Sequence, residues 1–153
     1  QEAEEGYSGM LRSIRRSNDR IADPELSRKI DRLGEIAGKI LKLVEEDPAK
    51  KNQAATFLNY YLPTTEKLLD SYADFEEAGV SGENLTQAKE KIRRTMDSIM
   101  AGFERQLDAL YHADAMDVDS DIRVMETMLR RDTASVADDF GLNGSSAVQQ
   151  RDE

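Results

Sequence analysis

The sequence predicts an all-α protein, an elongated and mainly antiparallel bundle of four to five helices. Three observations carry that prediction. Apolar residues recur at every third or fourth position through most of the chain, the spacing of one helical face. Charged residues make up 34% of the sequence while prolines number three and glycines nine, a composition of long helices and not of sheet. Two Asp-Pro pairs and one glycine-containing turn divide the periodic stretches into separate rods.

Tyr7, Met10, Ile14 and Ile21, with Ser17 filling the missing step, predict a first helix over about 6–21. Asp23 and Pro24 then form a start signal, since a carboxylate accepts hydrogen bonds from free backbone N–H groups and proline suits the first helical position. The stripe Leu26, Ile30, Leu33, Ala37, Ile40 and Val44, widened by Ile36 and Leu41, predicts a core-facing helix over 24–46.

Asp47-Pro48 repeats the restart signal, and a third helix is predicted over 48–78. Its stripe of Ala54, Leu58, Tyr61, Thr65, Leu68, Tyr72 and Phe75 keeps its rhythm across Pro63. Pro63 therefore reads as a kink inside one helix, with Thr64 and Thr65 placed to bond back to carbonyls one turn earlier. In the next turn, Gly79 suits a left-handed residue, Val80 can fold back onto the last turn, and Ser81 can cap the next helix. Leu85, Ala88, Ile92, Met96, Ile99, Phe103, Leu107 and Leu110 predict that helix over 82–113. The acidic run after it breaks the pattern, and Val118, Ile122, Met125 and Leu129 predict a short last helix over 119–131. Residues 1–132 are thus expected to form a single bundle domain, and 133–153 a flexible acidic tail.

Composition excludes several function classes. There is no cysteine, so disulfides, thiolate catalysis and zinc–thiolate sites are ruled out together. A formal net charge of −10 opposes nucleic-acid binding by the whole molecule. The charge is uneven, with Arg and Lys in excess from Met10 to Lys42 and carboxylates in excess from Asp97 onward. No apolar run is long enough to span a bilayer. Since the first residue is Gln1, any anchor or targeting signal is expected to lie in a segment outside this chain.

The stretch "FLNYYLPTTEKLLDSYADFEEAGVSGENLTQAKEKI", followed by "AGFERQLDALYHADAMDVDSDIRVMETMLRRD", resembles the bacterial 5-bromo-4-chloroindolyl phosphate hydrolysis protein family, the XpaC-like group. The resemblance is strongest from Phe57 to Asp132 and weaker over 23–56. Its most specific parts are Phe57 to Thr65, the turn Gly82-Glu83-Asn84, and Asp117-Val118 through Leu129. The resemblance implies an all-helical bacterial protein whose relatives often carry a membrane-associated segment and often accompany tellurite or toxic-anion resistance proteins. The family name implies hydrolysis of an artificial phosphate ester, but the resemblance carries no catalytic motif onto particular residues.

Phosphoester hydrolysis needs a nucleophile or activated water and positive charge on the phosphoryl oxygens. With one histidine and no phosphate-cradling glycine loop, the remaining candidate is a divalent cation, Mg²⁺ or another, held by Asp117, Asp119 and Asp121. That triplet lacks the glycine and glutamate of a calcium loop, and its simpler reading is a set of acids stabilising a helix N-terminus. His112 reads as a solvated residue at a helix C-terminus. "DDFG" at 138–141 resembles a kinase triplet without the rest of a kinase. Two surfaces suit binding. Arg12, Arg16 and Arg20, with Arg15 beside them, form a basic face fit for anionic lipid headgroups or an acidic protein surface. Asn59, Tyr60, Tyr61 and Thr64 surround the kink and could line a pocket there, although Tyr61 lies on the stripe and suits core packing.

Taken together, the residues predict a helical interaction or scaffold module with no cofactor. Its expected partners are another protein, a second copy, or an anionic membrane surface on the cytoplasmic side. A metal-dependent phosphoesterase acting on phosphate monoesters is the competing expectation.

Overall fold

The computed structural model describes residues 2–79 and 81–139. Its elements are α1 Glu2–Asp19, α2 Pro24–Glu46, α3 Ala49–Gln53, a π-helical segment Phe57–Tyr61, α4 Leu62–Glu77, α5 Glu83–Ala109 and α6 His112–Asp139, with no strand among the described residues. The chain divides into two units, Gln1–Tyr111 and His112–Glu153. The first holds a four-helix bundle made by α1, α2, α4 and α5.

Cross-contacts fix the directions of those four rods. Asn18 donates to Asp31 (2.7 Å) and accepts from Ser27 (2.7 Å), so α1 and α2 form a hairpin. Phe57 meets Phe103 edge-on at 5.0 Å and Arg93 donates to the Tyr72 hydroxyl (3.2 Å), which makes α4 and α5 antiparallel. The other two packed pairs run parallel. Tyr7 donates to Asn59 (3.2 Å) and Arg20 reaches Glu77, while Lys29 pairs with Asp97 (3.0 Å) and Arg32 with Glu104 (4.0 Å). Going round the bundle the order is therefore α1, α2, α5, α4, and α3 with the π segment carries the chain across a diagonal. Short connections predict antiparallel successive helices, as found; they do not say which non-consecutive rods touch.

The core is largely the one that the periodicity marks. Ile14, Leu26, Ile30, Leu33, Ile36, Ala37, Ile40, Phe57, Leu58, Tyr72, Met96 and Phe103 are buried. Each full-sized aliphatic side chain there contributes about 1.5–3 kcal/mol by leaving water. The Asp23 cap forms as expected, accepting from the backbone N–H of Glu25 (3.0 Å) and Leu26 (3.4 Å) ahead of Pro24. Its second oxygen accepts from Arg93. One carboxylate thus ties the start of α2 to α5 and, through Arg93, to the Tyr72 hydroxyl of α4. Arg93 holds the Asp23 carboxyl below the usual range, with the two backbone N–H groups helping and partial desolvation opposing. The Tyr72 hydroxyl and then Asp23 push the Arg93 guanidinium up.

At Pro63 the helix continues, but its distortion takes a specific form. The Leu62 N–H bonds to the Phe57 carbonyl, five residues back, giving one wide π turn just ahead of the proline. Proline has no N–H to give and its ring crowds the carbonyl four residues earlier; a wider turn takes up an extra residue and relieves that crowding. The extra residue rotates the rest of the helix about its axis. The expected Thr65 and Tyr72 stay buried, but Leu62, Leu69 and Ala73 join them, whereas the expected Tyr61, Leu68 and Phe75 are only partly covered. Neither Thr64 nor Thr65 makes the expected bond one turn back, although Thr95 does so to Lys91 at 2.8 Å.

Other boundaries shift for local reasons. Gly79 takes the left-handed φ of 68° that its turn requires. The residue capping α5 is Gly82 and not Ser81, and Val80 lies outside the described residues. The third predicted helix is three pieces, because α3 ends at Gln53 and the π segment intervenes before α4. α5 ends at Ala109 rather than near 113, and α6 opens at His112 rather than 119 and runs to Asp139. No proline comes after Pro63 and no glycine lies between Gly102 and Gly141, so nothing breaks the chain where the acidic run was expected to. Residues 112–132, assigned to the bundle by periodicity, thus fall in the second unit, and 133–139 belong to α6. The rest of the expected tail, 140–153, lies outside the described residues, as does the end of the "DDFG" stretch.

Candidate functional site

A groove of about 290 Å³ lies beside the π turn, between the π segment with α4 and α5. Tyr60, Tyr61, Thr64 and Leu68 form one wall, so three of the four residues placed around the kink do line a pocket. Asn59 does not; it is engaged by the Tyr7 hydroxyl. Tyr60 and Tyr61 stand edge to face at 6.0 Å, and Tyr60 is exposed. The opposite wall comes from α5 and is mostly small or polar, with Thr95, Ser98, Gly102 and, at the rim, Arg105. Periodicity reads only the large apolar residues of α5, and so passes over this wall. Its signal is legible in retrospect: Thr95, Ser98 and Gly102 recur at helical spacing beside Ile99 and Phe103. The groove's lining holds hydroxyls and a guanidinium, with neither a carboxylate nor an imidazole.

Arg12, Arg15 and Arg16 of α1 and Arg20 just past its end do not form one face. Arg20 turns to α4, where Nε and Nη2 grip Glu77 (2.9 and 2.8 Å), Nη2 also reaches Asp74 (2.6 Å), and Nη1 reaches Asp70 (3.2 Å). These carboxylates stand at steps of four and three on one side of α4. Glu77 and then Asp74 push the Arg20 guanidinium up, and Arg20 in turn holds the Glu77 carboxyl below its usual range. Arg15 lies over Gly34 and Gly38 of α2, where an added Cβ would sit 3.7 and 3.9 Å from its guanidinium. Arg12 and Arg16 are exposed on the side away from Ile14.

Asp117, Asp119 and Asp121 lie within the second turn and beyond of α6, not at a helix start. Successive residues are rotated by about 100°. Asp117 and Asp121 therefore share a side, and Asp119 points nearly opposite, paired with Arg123 at 2.6 Å. Among the described residues no group of three His, Asp or Glu side chains converges as a metal site. The triplet does not fit a three-carboxylate cation site in this conformation. His112 is exposed at the N-terminus of α6, the opposite end from the one expected, because the helix begins there.

The least expected feature of α6 is apolar. Among the described residues nine large apolar side chains are exposed, and seven of them, Met116, Val118, Ile122, Val124, Met125, Met128 and Leu129, are on this helix. Residues 4–125 match the family of the 5-bromo-4-chloroindolyl phosphate hydrolysis protein. The chain belongs to that family. The match takes in the bundle, the π turn, the groove and the first half of α6, so each is part of the family's region in this member. None of the curated proteins matches the chain, and none of the solved structures does. No helix among the described residues of this hydrolysis-family member is long and apolar enough to cross a membrane.

Proposed function

We propose that this family member is a helical interaction module in which the bundle is the stable body and α6 is the docking helix. The observation that carries the reading is the concentration of exposed large apolar side chains on α6. Soluble helices that keep such a stripe uncovered commonly use it to bind. Arg12 and Arg16 supply a second, electrostatic surface suited to anionic headgroups, which fits a full-length protein held at the cytoplasmic face of a bacterial membrane. The link to toxic-anion resistance proteins that the resemblance implies would supply such an assembly.

Metal-dependent hydrolysis through Asp117, Asp119 and Asp121 is the competing reading. Purified protein assayed with indolyl and nitrophenyl phosphates, with and without Mg²⁺ or Mn²⁺, is expected to give no turnover above buffer. Turnover that disappears in an Asp117→Asn, Asp119→Asn double variant would overturn the interaction reading in favour of the enzyme. For the basic surface, anionic vesicles should float the protein at low salt and lose it at high salt or in an Arg12→Glu, Arg16→Glu variant. Absence of flotation at low salt removes the lipid partner and leaves a protein one.

A second reading rests on the groove. Its aromatic and apolar lining of Tyr60, Tyr61 and Leu68 beside the Arg105 guanidinium has the chemistry to hold an aromatic phosphate, but offers no carboxylate or imidazole to activate water. Tyrosine fluorescence titrated with 5-bromo-4-chloroindolyl phosphate tests it. Arg105→Ala should weaken binding about tenfold or more if one charged hydrogen bond is lost. No saturable change in the parent chain ends this reading.

A further inference from the structure

We propose that Lys50 is a latch that ends α5: its ammonium holds the Leu110 carbonyl, and without it α5 runs on into the residues that now open α6. The inference does not depend on what α6 binds. Local sequence gives no reason for a break here. Residues 106–116 are rich in leucine, alanine and methionine, all good helix formers, and between Gly102 and Gly141 there is neither proline nor a further glycine. Apolar spacing accordingly predicts one rod through Leu110 to about 113. Instead α5 stops at Ala109 and α6 starts at His112.

The break is imposed from outside the helix. Lys50 is only 7% exposed, and lysine is seldom buried to that degree unless its charge is partnered. Its Nζ donates to the Leu110 carbonyl and stands 5.6 Å from the centre of the Tyr111 ring. In an unbroken helix that carbonyl would accept the N–H four residues on. A cation at the same oxygen competes with that bond and also meets the negative end of the α5 dipole. The last turn is correspondingly tight, with the N–H groups of Leu110 and Tyr111 bonding three residues back to Leu107 (3.1 Å) and Asp108 (3.0 Å). Leu110 is 1% exposed, which keeps its carbonyl where Lys50 reaches it. Lys50 is held in turn by the second Asp-Pro start, because Asp47 accepts from the Ala49 N–H through its side chain (3.1 Å) and from the Lys50 N–H through its carbonyl (2.9 Å). Asp47-Pro48 therefore both begins α3 and aims a cation at the end of α5. A boundary made by a tertiary contact, in a segment whose local preference is helical throughout, is a two-state element: two helices with the contact, one without it.

Backbone amide exchange of the full chain, resolved residue by residue by NMR, tests the latch. In the parent, His112 and Ala113 lie in the first turn of α6, where N–H groups have no acceptor within their own helix, and both should exchange fast. Lys50→Met keeps the length of the side chain and removes its charge. Both amides should then slow at least tenfold as they bond to the carbonyls of Asp108 and Ala109. Lys50→Arg, which can still donate to Leu110, should keep the fast exchange of the parent. Unchanged exchange in Lys50→Met, or slowing in Lys50→Arg equal to that in Lys50→Met, overturns the latch. A measurement on the parent needs no variant to fold: reductive methylation should reach Lys50 at least tenfold more slowly than the exposed Lys39, Lys42 and Lys51, and equal rates overturn the latch as well.

Discussion

Helix α2 places Leu26, Ile30, Leu33, Ala37, Ile40 and Val44 on one side, and α6 places Val118, Ile122, Met125 and Leu129 at the same alternating steps. The first set is buried and the second is about half exposed. The difference lies in what flanks each stripe. α2 adds buried Ile36 and Gly34, giving a face wide enough to meet α1 on one side and α5 on the other. In α6 the stripe is flanked by Asp114, Asp121 and Glu126 with Met128 beside them, and no neighbour among the described residues covers it. Periodicity reports that a helix has an apolar side; the width of that side reports how many neighbours it is built for.

The largest expected effect comes from cutting the bundle at its aromatic contact. Phe103→Ala removes the edge-on partner of Phe57 and should cost about 3–5 kcal/mol, read by urea denaturation. The same measurement on Ile122→Ala should differ from the parent by less than about 0.5 kcal/mol in dilute protein, because nothing buried is lost.

A smaller loss is expected at the junction of α2, α4 and α5. Asp23→Ala removes an N-cap and the partner of Arg93, and should cost about 1–2 kcal/mol. Acid acts on the same group. Asp23 and Glu77 have carboxyls depressed in the folded state, so their contribution is present above the ordinary carboxylate range, near pH 4, and is lost as pH falls through the lower folded values. Thermal melts should therefore fall steeply below about pH 4 in the parent and less steeply in an Asp23→Asn, Glu77→Gln variant.

These contrasts also mark what the residues alone reveal. The four rods of the bundle, the Asp23 cap and the Gly79 turn arise from local chemistry, which sequence carries directly. The parallel contacts of α1 with α4 and α2 with α5 do not, since they depend on which long-range pairs close. Pro63 announces a distortion, but whether it becomes a bend or a π turn depends on packing on both sides. With the π turn, Leu62 and Leu69 are buried beside the expected Thr65 and Tyr72, while Tyr61 and Leu68 line the groove. For the same reason Arg20 could be read as basic but not as bound, because its carboxylates lie fifty or more residues away.

The smallest effect is expected from the π turn itself. Deleting Tyr60 together with Pro63→Ala removes the extra residue and the ring that crowds its neighbours, leaving both flanks in phase. That variant should stay within about 1 kcal/mol of the parent. Deleting Glu66 instead, where no extra residue exists, should cost several times more by rotating one half of the stripe out of the core. Equal losses from the two deletions would show that the π turn is not a one-residue insertion.

Amide hydrogen exchange, read by mass spectrometry in dilute protein, tests the central contrast most directly. Peptides from α2 and α5 should be slow and those from 114–131 fast. Peptides from 114–131 as protected as those of α2 would contradict the account.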